Sequence, residues 1–218
     1  MRVWGGKGRA VPLSLRRTCR DVLALSGWER ERLVIGLLSS LPGEGVTTVA
    51  LGMATVLAET HDVLLVDASY SRRSAARAAR LRSPVLTADE LEAIDAETGA
   101  AILDERIAAS PAGGFHVLSL EPSQHMATAL GRAWPRLLDA LGTRYGIVLV
   151  DLGSLRTQLS PAWSSLLDRT FVVVDSVRTT TEDLTEAKQT LSILRYPLSG
   201  AIMNRSAAER RGWLGGAR

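Results

Sequence analysis

Short apolar runs that alternate with helical segments constrain the fold of this 218-residue chain more than any other feature. A strand that is apolar at successive positions is buried on both faces, which is typical of a parallel sheet between two layers of helices. The runs therefore predict an α/β domain. The predicted strands are Leu33–Leu38, Val63–Val66, Phe115–Leu120, Ile147–Val150, Phe171–Val174 and Leu198–Met203.

Helical patterns fill the segments between the strands. The predicted helices are Ser14–Ser26, Val46–Thr60, Trp134–Thr143 and Thr181–Arg195, and residues 74–110 are expected to be helical and rich in loops, with a break at Ser83–Pro84. Pro135 is expected in the first turn of its helix, where a missing N–H costs little. We expect one domain over residues 14–205, with a mostly parallel sheet and helices on both faces, between a leader (1–13) and a basic tail (206–218).

Composition excludes several classes of protein. The single cysteine, Cys19, excludes an internal disulfide, and the three histidines share no metal-ligand spacing. No apolar run reaches the ~18 to 20 residues that cross a bilayer, and no signal peptide is recognisable. The net charge is +3, but the arginines are spread along the chain. We therefore expect a cytoplasmic protein without a transmembrane segment that does not bind nucleic acid.

The segment from Ser39 to Thr48 joins the first strand to a helix, which is the setting of a phosphate-binding loop. Against the signature GxxxxGK[ST], Gly45 and Thr47 match, Ser40 stands at the first glycine and Val46 replaces the lysine. Of the 26 lysines and arginines, only Lys7 and Lys188 are lysines, and neither lies in the loop. Taken alone, the glycines also fit a plain strand-to-helix turn.

Two aspartates each follow an apolar strand, Asp67 after Val63–Val66 and Asp151 after Ile147–Val150. In phosphate-loop enzymes a carboxylate at a strand end holds Mg²⁺ or activates a nucleophile. Either aspartate alone would also fit a helix cap. Two of them behind a glycine loop favour a P-loop NTPase-like fold.

Four motifs resemble those of the bacterial tyrosine autokinases of capsule and exopolysaccharide synthesis, within the group of P-loop ATPases that includes the Min and Par proteins. The loop is similar to Walker A, and its Ser-x-Pro-Gly-Glu-Gly part is typical of the polysaccharide branch. Residues 63–69 resemble Walker A′, residues 145–151 resemble Walker B, and residues 200–204 resemble the last strand of the family. The resemblance covers residues 14–205.

The chain also departs from the family pattern. Val46 takes the place of the Walker A lysine and Ser69 that of the second aspartate of Walker A′. Relatives carry a C-terminal tyrosine cluster that is phosphorylated, whereas no tyrosine follows Asn204 here. These departures predict a degenerate member with weak or no ATP turnover, in a regulatory or scaffolding role.

The resemblance implies ATP or ADP with Mg²⁺ as cofactor. Asp67 and Asp151 take the catalytic positions, and Thr47, Asp67 and Asp151 are the expected metal ligands. Asn204 is expected to contact the adenine base. The first helix is similar to an oligomerisation helix through Arg17 and Arg20, which predicts a homo-oligomer. The expected nucleotide-binding residues are Gly43, Glu44, Gly45, Val46, Thr47, Thr48 and Asn204.

The expected partner is a membrane-embedded chain-length regulator of polysaccharide export, which would bring this chain to the membrane. Two alternatives remain open at this point. One is an active tyrosine autokinase or ATPase that uses an arginine in place of the lysine. The other is a Min/Par-type partition protein, which would use the basic tail.

Overall fold

A computed structural model describes residues 11–28, 31–69, 74–78, 81, 84–111, 113–158 and 160–205. The predicted basic tail and residues 1–10 of the predicted leader lie outside the described residues, as does Ser83. The boundaries predicted for the leader and tail therefore stay predictions.

The strands of the described part form one sheet of eight. Their spatial order is β3-β5-β2-β6-β1-β7-β8, with β4 beside β5. Every pair is parallel except β4 and β5, which confirms the predicted mostly parallel sheet. The strands are β1 (Leu33–Ser39), β2 (Val63–Asp67), β3 (Val85–Leu86), β4 (Ile107–Ala109), β5 (His116–Leu120), β6 (Ile147–Ser154), β7 (Arg169–Asp175) and β8 (Leu198–Asn204).

Helices cover both faces of this sheet, as the sequence predicts. One apolar cluster joins the sheet to α1, α2 and α3, and a second joins the opposite face to α4, α5, α6 and α8. Successive residues of β2 enter the two clusters alternately, which explains why the run is apolar without interruption. The helices are α1 (Leu13–Ser26), α2 (Val46–Leu57), α3 (Ser74–Ala78), α4 (Ala88–Glu92), α5 (Gly99–Arg106), α6 (Gln124–Leu141), α7 (Leu155–Gln158) and α8 (Thr181–Ile193), with a 3₁₀ turn at Pro161–Ser165.

The expected start of α6 is wrong. The helix begins at Gln124, where the side chain of Ser123 accepts a hydrogen bond from the N–H of Met126, so Pro135 lies inside the helix and not in its first turn. A proline there costs roughly 3 kcal/mol. One apolar face compensates by burying residues at helical spacing, namely Met126, Ala129, Leu130, Ala133, Trp134, Leu137 and Leu141.

Smaller differences concern element ends and short elements. The helices predicted to reach Thr60 and Arg195 end at Leu57 and Ile193. Residues 74–110 also contain the strands β3 and β4, which are too short to give a periodic signal.

Cys19 offers a direct test of the packing of α1. Cys19 is 2% exposed in the apolar cluster that joins α1 to α2 and the sheet, and burial raises the pKa of the thiol to about 12. Because the thiolate is the reactive form, we expect the folded protein to react with a thiol reagent at pH 8 at least roughly a hundredfold more slowly than the chain unfolded in urea. Equal rates in the two states would contradict this packing.

Candidate functional site

The carboxyl ends of β1, β2 and β6 bring Thr47, Asp67 and Asp151 into one neighbourhood. Asp67 and Asp151 are register partners on adjacent strands, and both are buried. Thr47, in the first turn of α2, donates its hydroxyl hydrogen to Oδ2 of Asp151 at 2.6 Å. Two of the three expected metal ligands, Thr47 and Asp151, are therefore in direct contact.

The Asp67 carboxylate is hydrogen-bonded to the chain that follows β2. Its Oδ1 accepts from the hydroxyl of Ser69 at 2.8 Å, and its Oδ2 accepts from the N–H of Ala75 at 2.7 Å. Burial raises the pKa of Asp67, and these hydrogen bonds oppose that rise. Asp67 thus caps the start of α3, and Ser69, which replaces the family aspartate, supports it there.

The loop between β1 and α2 turns two successive carbonyls toward the end of β8. The Glu44 carbonyl accepts from Nδ2 of Asn204 at 2.7 Å, and the Gly43 carbonyl accepts from Nη2 of Arg205 at 3.4 Å. In a trans peptide the N–H points opposite to the carbonyl, so the N–H groups of Glu44 and Gly45 face away from β8. Backbone N–H groups at the start of a helix are suited to binding a phosphate.

Gly45 fits this loop because it has no side chain. Its φ is +98°, in the left-handed region. A Cβ at this position would lie 2.3 Å from Nδ2 of Asn204. Asn204 can approach the loop only because position 45 is a glycine.

The carboxylate of Glu44 lies behind the loop and is fully buried. Oε2 accepts from the hydroxyl of Ser40 at 3.0 Å and from the N–H of Leu41 at 2.6 Å. Oε1 accepts from the N–H of Asp175 at 3.3 Å and from the hydroxyl of Thr179. A phosphate in the loop would therefore meet the backbone N–H of Glu44 and not its side chain.

Val46 occupies the lysine position of the loop, but its side chain does not reach the surface. Its side chain is 5% exposed and belongs to the apolar cluster beneath α2. Thr48 follows it in the first turn of α2 and is half-buried.

Three other predicted residues have surroundings that bear on their expected roles. Both polar atoms of the Asn204 side chain are used within the protein, since its Oδ1 also accepts from the N–H of Arg205 at 2.9 Å. Arg17 and Arg20 are exposed on α1, and Arg20 forms an exposed ion pair with Asp21 at 3.5 Å. Contact of Asn204 with an adenine base and oligomerisation through Arg17 and Arg20 stay predictions.

Four residues outside the predicted motifs meet at the loop: Asp175, Arg178, Thr179 and Arg205. Asp175 ends β7 and is fully buried, and its Oδ2 accepts from Nη1 of Arg205 at 2.5 Å. A signal for Asp175 is present in the sequence, because it ends an apolar strand in the same way as Asp67 and Asp151.

The donor set suits a magnesium ion better than a transition metal. Within the described segments, no group of three or more His, Cys, Asp or Glu side chains is placed to hold a metal ion. The expected ligands instead comprise the hydroxyl of Thr47 and two carboxylates, which are the hard oxygen donors that Mg²⁺ prefers, usually together with phosphate and water.

The chain is similar to known bacterial tyrosine kinases. No protein-family model matches the chain. Tyrosine-protein kinase YwqD of Bacillus subtilis (strain 168) is 27% identical over 193 residues, which are 86% of this chain and 78% of the relative. The kinase domain of Escherichia coli tyrosine kinase ETK matches with a TM-score of 0.73 at 22% identity, over 88% of this chain and 76% of that chain.

A second group of similar structures contains MinD proteins and a ParA family ATPase. The septum site-determining protein MinD of Pyrococcus horikoshii OT3, solved as a complex with Mg-ADP, matches with a TM-score of 0.60 at 22% identity, over 83% of this chain and 73% of that chain. The chain thus has a P-loop NTPase fold of the MinD type. Within that class it is similar to bacterial tyrosine kinases, as its motifs predict.

A substitution at Gly45 tests the close approach of Asn204 to the loop. In Gly45→Ala the left-handed backbone costs about 1–2 kcal/mol, and the contact with Asn204 adds to this cost. We expect the free energy of unfolding in urea to fall by more than about 2 kcal/mol.

Gly27→Ala is the matched control, because Gly27 has a φ of +55° and no atom within 4 Å of a Cβ at that position. Its free energy of unfolding should fall only by the cost of the left-handed backbone. Equal losses in the two variants would contradict the described contact between Asn204 and the loop.

Proposed function

We propose that this chain is a degenerate relative of the bacterial tyrosine autokinases that binds ATP or ADP with Mg²⁺ and turns ATP over weakly or not at all. Its role is regulatory or scaffolding, in exopolysaccharide or capsule biosynthesis and export. The observation that carries the proposal is the environment of Val46. This side chain packs into the apolar cluster beneath α2, so the position that holds the lysine in relatives supplies no charge to the loop.

The remaining parts of the loop support binding more than phosphoryl transfer. The N–H groups of Glu44 and Gly45 face away from β8 and could donate to a phosphate, and Thr47 and Asp151 would hold Mg²⁺ together with Asp67. When bound, Mg²⁺ neutralises the charge of the phosphates. A lysine ammonium assists at the stage when charge shifts during transfer, and loss of one such donor commonly costs about 10² to 10³ in rate.

The tyrosines also argue against autophosphorylation. Tyr145 and Tyr196 are buried, and the hydroxyl of Tyr196 donates to the carbonyl of Ser160 at 2.7 Å. The third tyrosine, Tyr70, lies outside the described residues. Neither of the two described tyrosines is placed as an exposed substrate.

The place of this chain in polysaccharide export rests on its resemblance to the polysaccharide branch. The Ser-x-Pro-Gly-Glu-Gly loop is typical of that branch, whose members act through a membrane-embedded chain-length regulator. We propose such a regulator as partner and a cytoplasmic location, with Arg17 and Arg20 of α1 as homo-oligomer contacts. In the described part of the chain, no helix has both the length and the apolar character needed to span a bilayer.

An active kinase or ATPase is the second candidate, because Arg178 and Arg205 lie at the loop. Purified full-length protein with Mg-ATP distinguishes the two candidates. We expect phosphate release and tyrosine phosphorylation to be indistinguishable from those of Asp151→Ala, measured by released inorganic phosphate and by mass spectrometry. Turnover that disappears in Asp67→Ala and Asp151→Ala would overturn the degenerate interpretation.

A further inference from the structure

The turn between β7 and α8 places a guanidinium against the phosphate loop. Nη1 of Arg178 lies 3.4 Å from the position that a Cβ of Gly43 would occupy. Gly43 has a φ of +83°, and a Cβ at this position would be in ordinary van der Waals contact with the guanidinium. Arg178 is itself exposed, so its guanidinium lies at the surface of the loop and is accessible to a ligand.

Hydrogen bonds hold this turn to the loop. The carbonyl of Asp175 accepts from the N–H groups of Arg178 and Thr179 at 3.1 and 3.0 Å. The N–H of Asp175 and the hydroxyl of Thr179 in turn donate to the carboxylate of Glu44. Residues on both sides of Arg178 are thus hydrogen-bonded to Glu44 of the phosphate loop, which places the turn that carries Arg178 beside the loop.

The two arginines at the loop, Arg178 and Arg205, differ in whether a carboxylate neutralises their charge. Arg205 forms an ion pair with the buried carboxylate of Asp175 at 2.5 Å. Arg178 forms no ion pair with any carboxylate in the part of the chain that the structure describes. Since Val46 contributes no charge, the guanidinium of Arg178 is a positive charge close to Gly43 that no carboxylate of the described residues neutralises.

We propose that Arg178 replaces the missing lysine as the cation that binds a phosphate of a nucleoside diphosphate or triphosphate in the loop. The inference rests on the proposed function, since it requires that the loop binds nucleotide. A guanidinium presents two parallel N–H donors that match two phosphate oxygens. It approaches from the Gly43 side of the loop, whereas a lysine would come from α2, so it supplies affinity without restoring the arrangement used for phosphoryl transfer.

Titration calorimetry with Mg-ADP on the full chain tests this assignment. We expect Arg178→Ala to weaken binding about tenfold to a hundredfold, as loss of a charge-assisted contact does, and Arg178→Glu to weaken it further through repulsion. Arg136→Ala is the matched control, because Arg136 is an exposed arginine of α6 outside the site. It should leave the affinity unchanged, and circular dichroism should show each variant folded.

A double-mutant cycle with Val46→Lys then separates a specific role from a general effect of charge. If the two cations serve the same phosphate group, Val46→Lys restores affinity to Arg178→Ala, and the effect of removing Arg178 shrinks in that background. Equal affinities of the natural chain and Arg178→Ala for Mg-ADP would overturn the assignment of Arg178 while leaving nucleotide binding intact. Binding by Val46→Lys alone would overturn both the assignment and nucleotide binding by the natural chain.

Discussion

The buried carboxylate of Glu44 is the interaction on which the arrangement of the site depends. Burying a carboxylate costs several kcal/mol unless hydrogen bonds compensate, and here four donors surround it. Two of them belong to the phosphate loop and two to the turn after β7. One side chain therefore fixes the shape of the loop and the position of the neighbouring turn. Asn204, the last residue of β8, and Arg205, which follows it, add hydrogen bonds to the loop.

Most of the fold was predictable because its strands are buried on both faces. The alternation of residues 63–66 between two apolar clusters makes such a run apolar throughout, so the sequence signal is strong. The signal fails where tertiary packing outweighs local preference, as at Pro135, which lies inside α6 against its usual preference for a first turn. It also fails for β3 and β4, which are too short to show a period.

The site was predictable where sheet topology alone determines proximity. Thr47 and Asp151 meet because the ends of adjacent parallel strands lie at one edge of the sheet. The direction of the Glu44 side chain was not predictable, because it depends on donors from a turn distant in the sequence. The same holds for Arg178, whose approach to Gly43 requires knowledge of how that turn folds.

The hydrogen bonds to the carbonyls of Gly43 and Glu44 also bear on how such a chain evolves. They come from protein groups, so the loop keeps its shape without help from a nucleotide. A change at the catalytic lysine position can therefore be accepted without loss of the hydrogen bonds that fold the loop. A lysine at position 46 can thus be exchanged for valine, with the gain of an apolar contact under α2, while the shape of the loop is preserved.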